Sequence, residues 1–240
     1  MKDNRYTVIS NVELIPDVYE MIIEGDTGEI TAPGQFINIK VEGFYLRRPI
    51  SISDWDEKTM TLIYKIVGEG TKAMAEMQEG DAFYALCPLG NGYVLDIDCR
   101  TPMLIGGGLG AAPLFGMAKR MLEKGMAPQA ILGFNKKEEI VYRDKLAKLG
   151  IATIITTADG SEGIKGFVTD AFDRAEYVYA CGPEPMLEAV YEQADDGQFD
   201  FGSRMACGFG ACMGCSCRTK YGSKRICKDG PILFREEIVW

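Results

Sequence analysis

The chain has 240 residues, 47% of them hydrophobic and 25% charged, and a formal net charge of −9. That length suits two modest domains plus an appendage, and the excess of acid argues against nucleic acid as the main partner. Histidine is absent from the sequence, which excludes a Rieske centre, a Ser-His-Asp triad and any His-ligated metal.

Residues 1–98 read as short strands. Runs at 6–10, 18–23, 35–41, 50–53, 60–67 and 82–87 are rich in β-branched and aromatic residues, with Gly, Pro, Asp and Asn between them. Regular short strands with turn signals predict an antiparallel β-barrel, closed or nearly so, with a turn at Pro88-Leu-Gly-Asn-Gly92 near its end. Two stretches stand out in it, Arg47-Arg48-Pro-Ile-Ser-Ile52 and Tyr64-Lys-Ile-Val-Gly-Glu-Gly-Thr71. An arginine and a hydroxyl at a strand end suit a phosphate or a flavin edge, although out of context a surface arginine pair is the plainer reading.

The pattern changes near Thr101. Apolar runs at 103–105, 130–134, 152–156 and 177–181 alternate with segments of helical spacing at 111–124, 139–149, 168–174 and 183–194. This predicts an α/β region built on a parallel sheet. The first strand runs into Gly106-Gly-Gly-Leu-Gly-Ala-Ala-Pro113, which fits G-x-G-x-x-A at Gly106, Gly108 and Ala111. Glycines let backbone approach a pyrophosphate, and the following helix offers N–H groups and a partial positive charge. The acidic residue expected about twenty positions on is missing, because the second strand ends Gly133-Phe-Asn135. Taken alone, the run is equally a tight strand–helix turn. Asn135-Lys-Lys137 could meet a 2′-phosphate and are equally ordinary loop residues. A second junction, Cys181-Gly-Pro-Glu-Pro-Met186, opens on the same sheet edge, where strand carboxyl ends bind ligands. Cys181 there is either a small buried hydrophobe or a neighbour of a nicotinamide ring.

From residue 199 a mostly loop-built segment is expected, as where a metal cluster replaces a hydrophobic core. It contains Cys207-x4-Cys212-x2-Cys215, with Cys227 further on, which is the ligand spacing of plant-type [2Fe–2S] centres. Gly208, Gly210, Ala211 and Gly214 let the loop curl and aim N–H groups at sulfur. Zinc sites usually pair CxxC with a second CxxC, which is missing, and a disulfide framework needs an oxidising compartment. Cys217 follows Cys215 too closely to share its cluster comfortably, so Cys227 is preferred as fourth ligand. Six basic residues (Arg204, Arg218, Lys220, Lys224, Arg225, Lys228) and no acidic one span 204–228. They either offset cluster charge or form a docking surface. The polar N-terminus and the lack of any run of about eighteen apolar residues predict no signal peptide, no membrane span and a cytoplasmic location.

In sequence order, R-x-P-I-S, V-G-E-G-T, G-G-G-x-G-x-A-P and C-G-P-x-P-M resemble the ferredoxin reductase-like flavoproteins over nearly the whole chain. The ending R-M-A-C-G-x-G-A-C-x-G-C-x-C, then R-I-C-K-D-G-P, resembles the electron-transfer subunits of type B dihydroorotate dehydrogenases over residues 1–240. The resemblance implies a β-barrel FAD domain at 1–98, an α/β NAD domain at 99–198 and a [2Fe–2S] segment at 199–240. By position, Arg48, Pro49, Ile50 and Ser51 would contact FAD, with Ser51 near the isoalloxazine. Tyr64, Lys65, Ile66, Gly70 and Thr71 would hold its ribityl and pyrophosphate. Gly107, Gly108 and Gly110, with Cys181, Gly182 and Pro183, would receive NAD(H), and Cys207, Cys212, Cys215 and Cys227 would bind the cluster. Implied too are an oxidoreductase role in pyrimidine (UMP) biosynthesis and an FMN-containing catalytic partner in a two-plus-two heterotetramer. No acid–base catalytic residue is required of this chain. Two rival readings follow: the flavin/cluster subunit of an NADH-dependent ferredoxin:NADP transhydrogenase or sulfhydrogenase, and a non-catalytic zinc or redox-sensing module.

Overall fold

The computed structural model describes residues 2–202 and 204–240. The chain divides into two compact units. One holds the chain through Gly92, the cysteine-rich stretch through Cys217, and Ser223–Pro231. The other holds Tyr93–Gly202, Arg218–Gly222 and Ile232–Trp240.

The first unit is a closed antiparallel barrel of β1 (Lys2–Ile15), β2 (Val18–Glu24), β3 (Phe36–Ile39), β4 (Arg48–Trp55), β5 (Thr59–Lys65) and β6 (Ala82–Leu89), in the order β1-β2-β5-β4-β3-β6. Alternating residues send Tyr6, Val8, Met21, Ile23, Ile52, Met60, Leu62 and Phe83 into one core, as the two-residue period of a strand requires. A short helix, α1 (Glu69–Ala75), follows β5, where the sequence shows a glycine-bearing loop. Strand β6 runs through Pro88, so the turn expected at 88–92 starts later, at Gly90.

The second unit carries a seven-stranded sheet. Its elements are β7 (Met103–Gly107), α2 (Ala111–Glu123), β8 (Gln129–Phe134), α3 (Arg143–Lys148), β9 (Thr153–Thr157), β10 (Ile164–Lys165), β11 (Ala175–Cys181), α4 (Glu184–Gln193) and β12 (Ala194–Asp200). After a hairpin of β13 (Ser216–Thr219) and β14 (Gly222–Arg225), and a helical turn α5 (Ile226–Asp229), the chain adds β15 (Ile232–Phe234). The order is β10-β9-β8-β7-β11-β12-β15, parallel except that β15 runs antiparallel to β12.

Four expectations need correction. The parallel sheet is mixed at one edge, because β15 covers β12 through Gln198↔Phe234, Phe199↔Leu233 and Asp200↔Ile232. The segment from 199 is therefore less loop-like than expected. Strand β12 runs across residue 199, where that segment is expected to start. Its sequence Ala194-Asp-Asp-Gly-Gln-Phe-Asp200 is a poor strand former, but pairing on both sides holds it extended. Gly197 is needed there, since a Cβ would come within 2.5 Å of Val178. The helices predicted at 139–149 and 168–174 shorten to α3 and to a single 3-10 turn, Val168–Ala171. In the latter the Asp170 side chain accepts the Phe167 N–H at 2.7 Å, which closes a turn in place of a helix.

Candidate flavin, nucleotide and iron–sulfur sites

One seam of the closed barrel, between β4 and β5, is laddered over only part of its length. Strand β4 pairs with β3 from Arg48↔Ile39 to Ser51↔Phe36, but its ladder to β5 starts at Ile52↔Leu62 and runs away toward Trp55↔Met60. All of β5 pairs with β2, and the ladder to β4 does not reach its Ile63–Lys65 half. A slot is left between Arg48–Ser51 on one lip and Tyr64–Ile66 on the other. Arg48, Pro49, Ile50 and Ser51 are all half-buried, whereas Ile52 and Ser53 beyond them are buried. Helix α1, with Gly70 and Thr71 buried, follows the second lip.

Arg48 is held in place from several sides. Its guanidinium donates to the Leu46 carbonyl and lies 4.8 Å from the centre of the Phe44 ring. A Cβ on Gly70 would come within 2.1 Å of that guanidinium. Thr71 Oγ1 accepts the Val67 N–H at 2.9 Å and donates to the Gly68 carbonyl at 3.0 Å, fixing the turn into α1. Tyr64 is committed inward: its hydroxyl donates to Asn11 Oδ1 at 2.9 Å, its ring stacks on Tyr19 at 5.7 Å, and burial raises its pKa. What it offers the slot is its strand backbone. A flat ring system with a phosphate tail fits a slot that carries an arginine and backbone donors of this kind.

In the second unit the two glycine-bearing turns meet. Gly107 ends β7, Gly108–Gly110 form a 3-10 turn, and Ala111 opens the thirteen-residue α2. A Cβ on Gly110 would stand 2.0 Å from the Cys181 carbonyl oxygen, and one on Gly182 would stand 3.1 Å from Gly107 Cα. Both turns are thus pressed together at the carboxyl ends of β7 and β11, which are sheet neighbours. Beside them lies a cavity of about 370 Å3 lined by Gly107, Gly108, Phe134, Asn135, Pro183 and Met186, among others. Bare backbone at a strand–helix junction next to an apolar hollow suits a dinucleotide. Cys181 is buried, and its thiol lies 3.5 Å from Asp200 Oδ2. Burial, then the Asp200 charge, raises the Cys181 pKa well above that of an ordinary thiol, so it stays a neutral thiol.

The cysteine loop belongs to the first unit. Gly208 has φ +75°, and a Cβ there would come within 2.2 Å of Asn38 Nδ2. That close approach lets Asn38 donate to the Cys207 carbonyl at 3.0 Å. Arg225 ties the other side. Its Nη1 donates to the Gly210 carbonyl at 3.0 Å, and its Nε to Asp229 Oδ2 at 3.0 Å. One of the six basic residues therefore serves the loop itself.

The thiols fall in two pairs. Cys212 N–H donates to Cys207 Sγ at 3.5 Å, and the two thiols also meet. Cys227 N–H donates to Cys215 Sγ at 3.4 Å, and those thiols meet as well. Burial works to raise the Cys207 pKa, but the N–H groups of Cys212, Phe209 and Ala211 outweigh it and bring it down to about 6. Burial and the neighbouring Cys215 push Cys227 up to about 12. Among the described residues no three His, Cys, Asp or Glu side chains close on one point as around a single ion. Four cysteines at this spacing, with backbone N–H groups on their sulfurs, suit a two-iron cluster with four cysteine ligands. Cys215 and Cys227 are buried, while Cys212 is exposed and Cys207 half-buried. No disulfide joins any of the cysteines among the described residues.

Asn38, Asp229 and Asp200 are parts of these sites that sequence patterns do not single out, and Arg225 stands out only as one of the basic residues of the segment. Asn38 and Asp200 lie far in sequence from Cys207 and Cys181, which they touch. The faint signal is for Arg225 and Asp229, an i, i+4 pair flanking Cys227.

A barrel, paired glycine turns at the carboxyl edge of a mostly parallel sheet and a four-thiol loop are those of an oxidoreductase of the ferredoxin reductase-like class, with an NAD-binding and an iron–sulfur domain. Two family models match: "Oxidoreductase NAD-binding domain" over residues 104–192, and "Iron-sulfur cluster binding domain of dihydroorotate dehydrogenase B" over residues 202–239. A relative from Fusobacterium nucleatum, the electron transfer subunit of dihydroorotate dehydrogenase B (NAD+), is 42% identical and covers 99% of each chain. The protein of the same name from Geobacillus sp. is 39% identical over 100% of this chain and 99% of its own. The chain belongs to this family of dihydroorotate dehydrogenase B (NAD+) electron transfer subunits. Among solved structures, the NADH-dependent reduced ferredoxin–NADP oxidoreductase, studied for flavin-based electron bifurcation, is 27% identical, with a TM-score of 0.87 over 100% of this chain and 91% of that one.

Proposed function

We propose that the chain is the electron-transfer subunit of an NAD-linked dihydroorotate dehydrogenase, linking a separate FMN-containing catalytic subunit to NAD+ in the making of pyrimidines. The observation that carries this reading is the cysteine loop with its two thiol pairs, on a chain 42% identical end to end to a subunit of that name. The rival transhydrogenase subunit keeps the fold at 27% identity, and its fit to this chain is correspondingly looser. A colourless zinc or sensor module is disfavoured by the match of residues 202–239 to an iron–sulfur cluster binding domain.

Bound FAD and a [2Fe–2S] cluster would supply exchange of a hydride with nicotinamide and of single electrons with the partner, chemistry that belongs to the cofactors. This chain's residues bind and orient. Arg48 to Ser51, with Tyr64, Lys65, Ile66, Gly70 and Thr71, hold the flavin in the barrel slot. Gly107, Gly108 and Gly110, with Cys181, Gly182 and Pro183, receive NAD(H) on bare backbone. Cys207, Cys212, Cys215 and Cys227 hold the cluster, with the Cys207–Cys212 side nearer solvent. The functional divisions are 1–98 for flavin, 99–198 for nucleotide and 199–240 for the cluster. No helix among the described residues is long and apolar enough to cross a membrane, and the reading places the protein in the cytoplasm, in a two-plus-two assembly with its partner.

The test is anaerobic purification with the catalytic chain, followed by a visible spectrum, flavin extraction, and iron and acid-labile sulfide assays. One FAD and two irons per chain are expected, with dihydroorotate-dependent reduction of NAD+. A folded chain free of inorganic sulfide overturns the reading.

A further inference from the structure

Strand β8 ends at Phe134 without the carboxylate that an NAD-selecting sheet places at the end of its second strand. The structure supplies one from outside the strand. After Asn135 the chain makes a 3-10 turn, Lys137–Glu139, and doubles back. Glu139 Oε2 then accepts the Asn135 side-chain N–H at 2.8 Å and its backbone N–H at 3.3 Å. The carboxylate is thereby pinned at the carboxyl end of β8. It lines the same cavity as Gly107 and Gly108 of the glycine turn. Lys136 and Lys137 are exposed, and the described lining of the cavity includes neither. The Lys137 backbone N–H donates to Ser161 Oγ at 2.8 Å, which fixes the turn.

We propose that Glu139 selects NAD(H) over NADP(H) in this chain, accepting hydrogen bonds from the adenosine ribose and repelling a 2′-phosphate; the inference rests on the NAD-linked reading above. A carboxylate offers about four acceptor positions, and Asn135 engages Oε2, so Oε1 is available to a ribose diol. A 2′-phosphate at the same place would set two anions together in a partly enclosed hollow, where like charges disfavour binding. The neighbouring lysines sharpen the prediction. Neutralising Glu139 removes one of the negative charges there, so Lys136 and Lys137 are less offset by the remaining Glu138 and Asp159 and the repulsion of a 2′-phosphate falls.

The experiment compares wild-type holoprotein with Glu139→Gln, whose amide oxygen still accepts from Asn135. Calorimetric titration with 5′-AMP and with adenosine 2′,5′-bisphosphate reads binding without redox chemistry. The kcat/KM values for NADH and NADPH with ferricyanide read turnover. Wild type is expected to prefer the unphosphorylated member of each pair. Glu139→Gln is expected to move both ratios toward the phosphorylated member by about tenfold or more, a gain that shrinks as salt is added. Brisk NADH oxidation with ratios unchanged by the substitution overturns the role of Glu139 alone. Wild type that neither binds 5′-AMP nor oxidises NADH overturns the NAD-linked reading with it.

Discussion

Asp200 is 5% exposed, and its neighbours explain its protonation. Burial pushes its pKa up to about 6, against the opposing effects of the Cys181 thiol and the Gly202 N–H. An unfolded aspartate titrates near 4, so between roughly pH 4 and 6 the folded chain holds more of this proton than the unfolded one. Stability therefore falls as pH rises through that window and is level above it, with a full effect on the order of 3 kcal/mol. Asp200→Asn should raise the urea unfolding midpoint at pH 7.5, and the gain should shrink toward pH 5; an equal gain at both pH values would remove this explanation. Gly70 shows the opposite kind of constraint. Gly70→Ala puts a methyl 2.1 Å from the Arg48 guanidinium, whose flexible end can move away. The barrel should keep its stability to within about 1 kcal/mol, while FAD affinity, read by flavin fluorescence on dilution, falls about tenfold.

Among the elements, the cysteine loop depends on a tether from β3 that no local pattern announces. Asn38 Nδ2 holds the Cys207 carbonyl, yet Asn38 Oδ1 is buried without a hydrogen-bond partner. Replacing a half-satisfied buried amide with a similar apolar side chain costs a fold little. Asn38→Leu should thus leave barrel unfolding within about 1 kcal/mol of wild type but speed loss of visible cluster absorbance under a chelator several-fold. Parallel destabilisation of barrel and cluster would show the tether to be general packing. The same scale explains what the sequence concealed. Strand β12 carries Asp195, Asp196 and Gly197, which propensity places in a loop, and neighbours on both sides make it a strand. Glu139 lies outside the span where a dinucleotide fingerprint is sought, and a 3-10 turn brings it back.

For the whole molecule, the residues assigned to the flavin lie on β4, at the end of β5 and on α1, while the cysteine loop is tethered to β3 through Asn38. Cys212→Ser should abolish electron delivery to the catalytic subunit and remove iron, while the FAD content per chain stays near one. Loss of FAD in that variant would make the loop part of the flavin site. The sequence by itself determined the barrel strands, the glycine turns and the four thiols, because each rests on a local period or a fixed spacing that no distant contact has to complete. It also carried the family resemblance, which depends on the order of those motifs. Tertiary structure alone decided that β15 closes the sheet against β12, that β4 parts from β5 to open a slot, and that the thiols pair two and two. Those features arise from strand neighbours and hydrogen-bond partners far apart in the chain, and the free energy that selects them is shared among residues whose types are unremarkable one at a time.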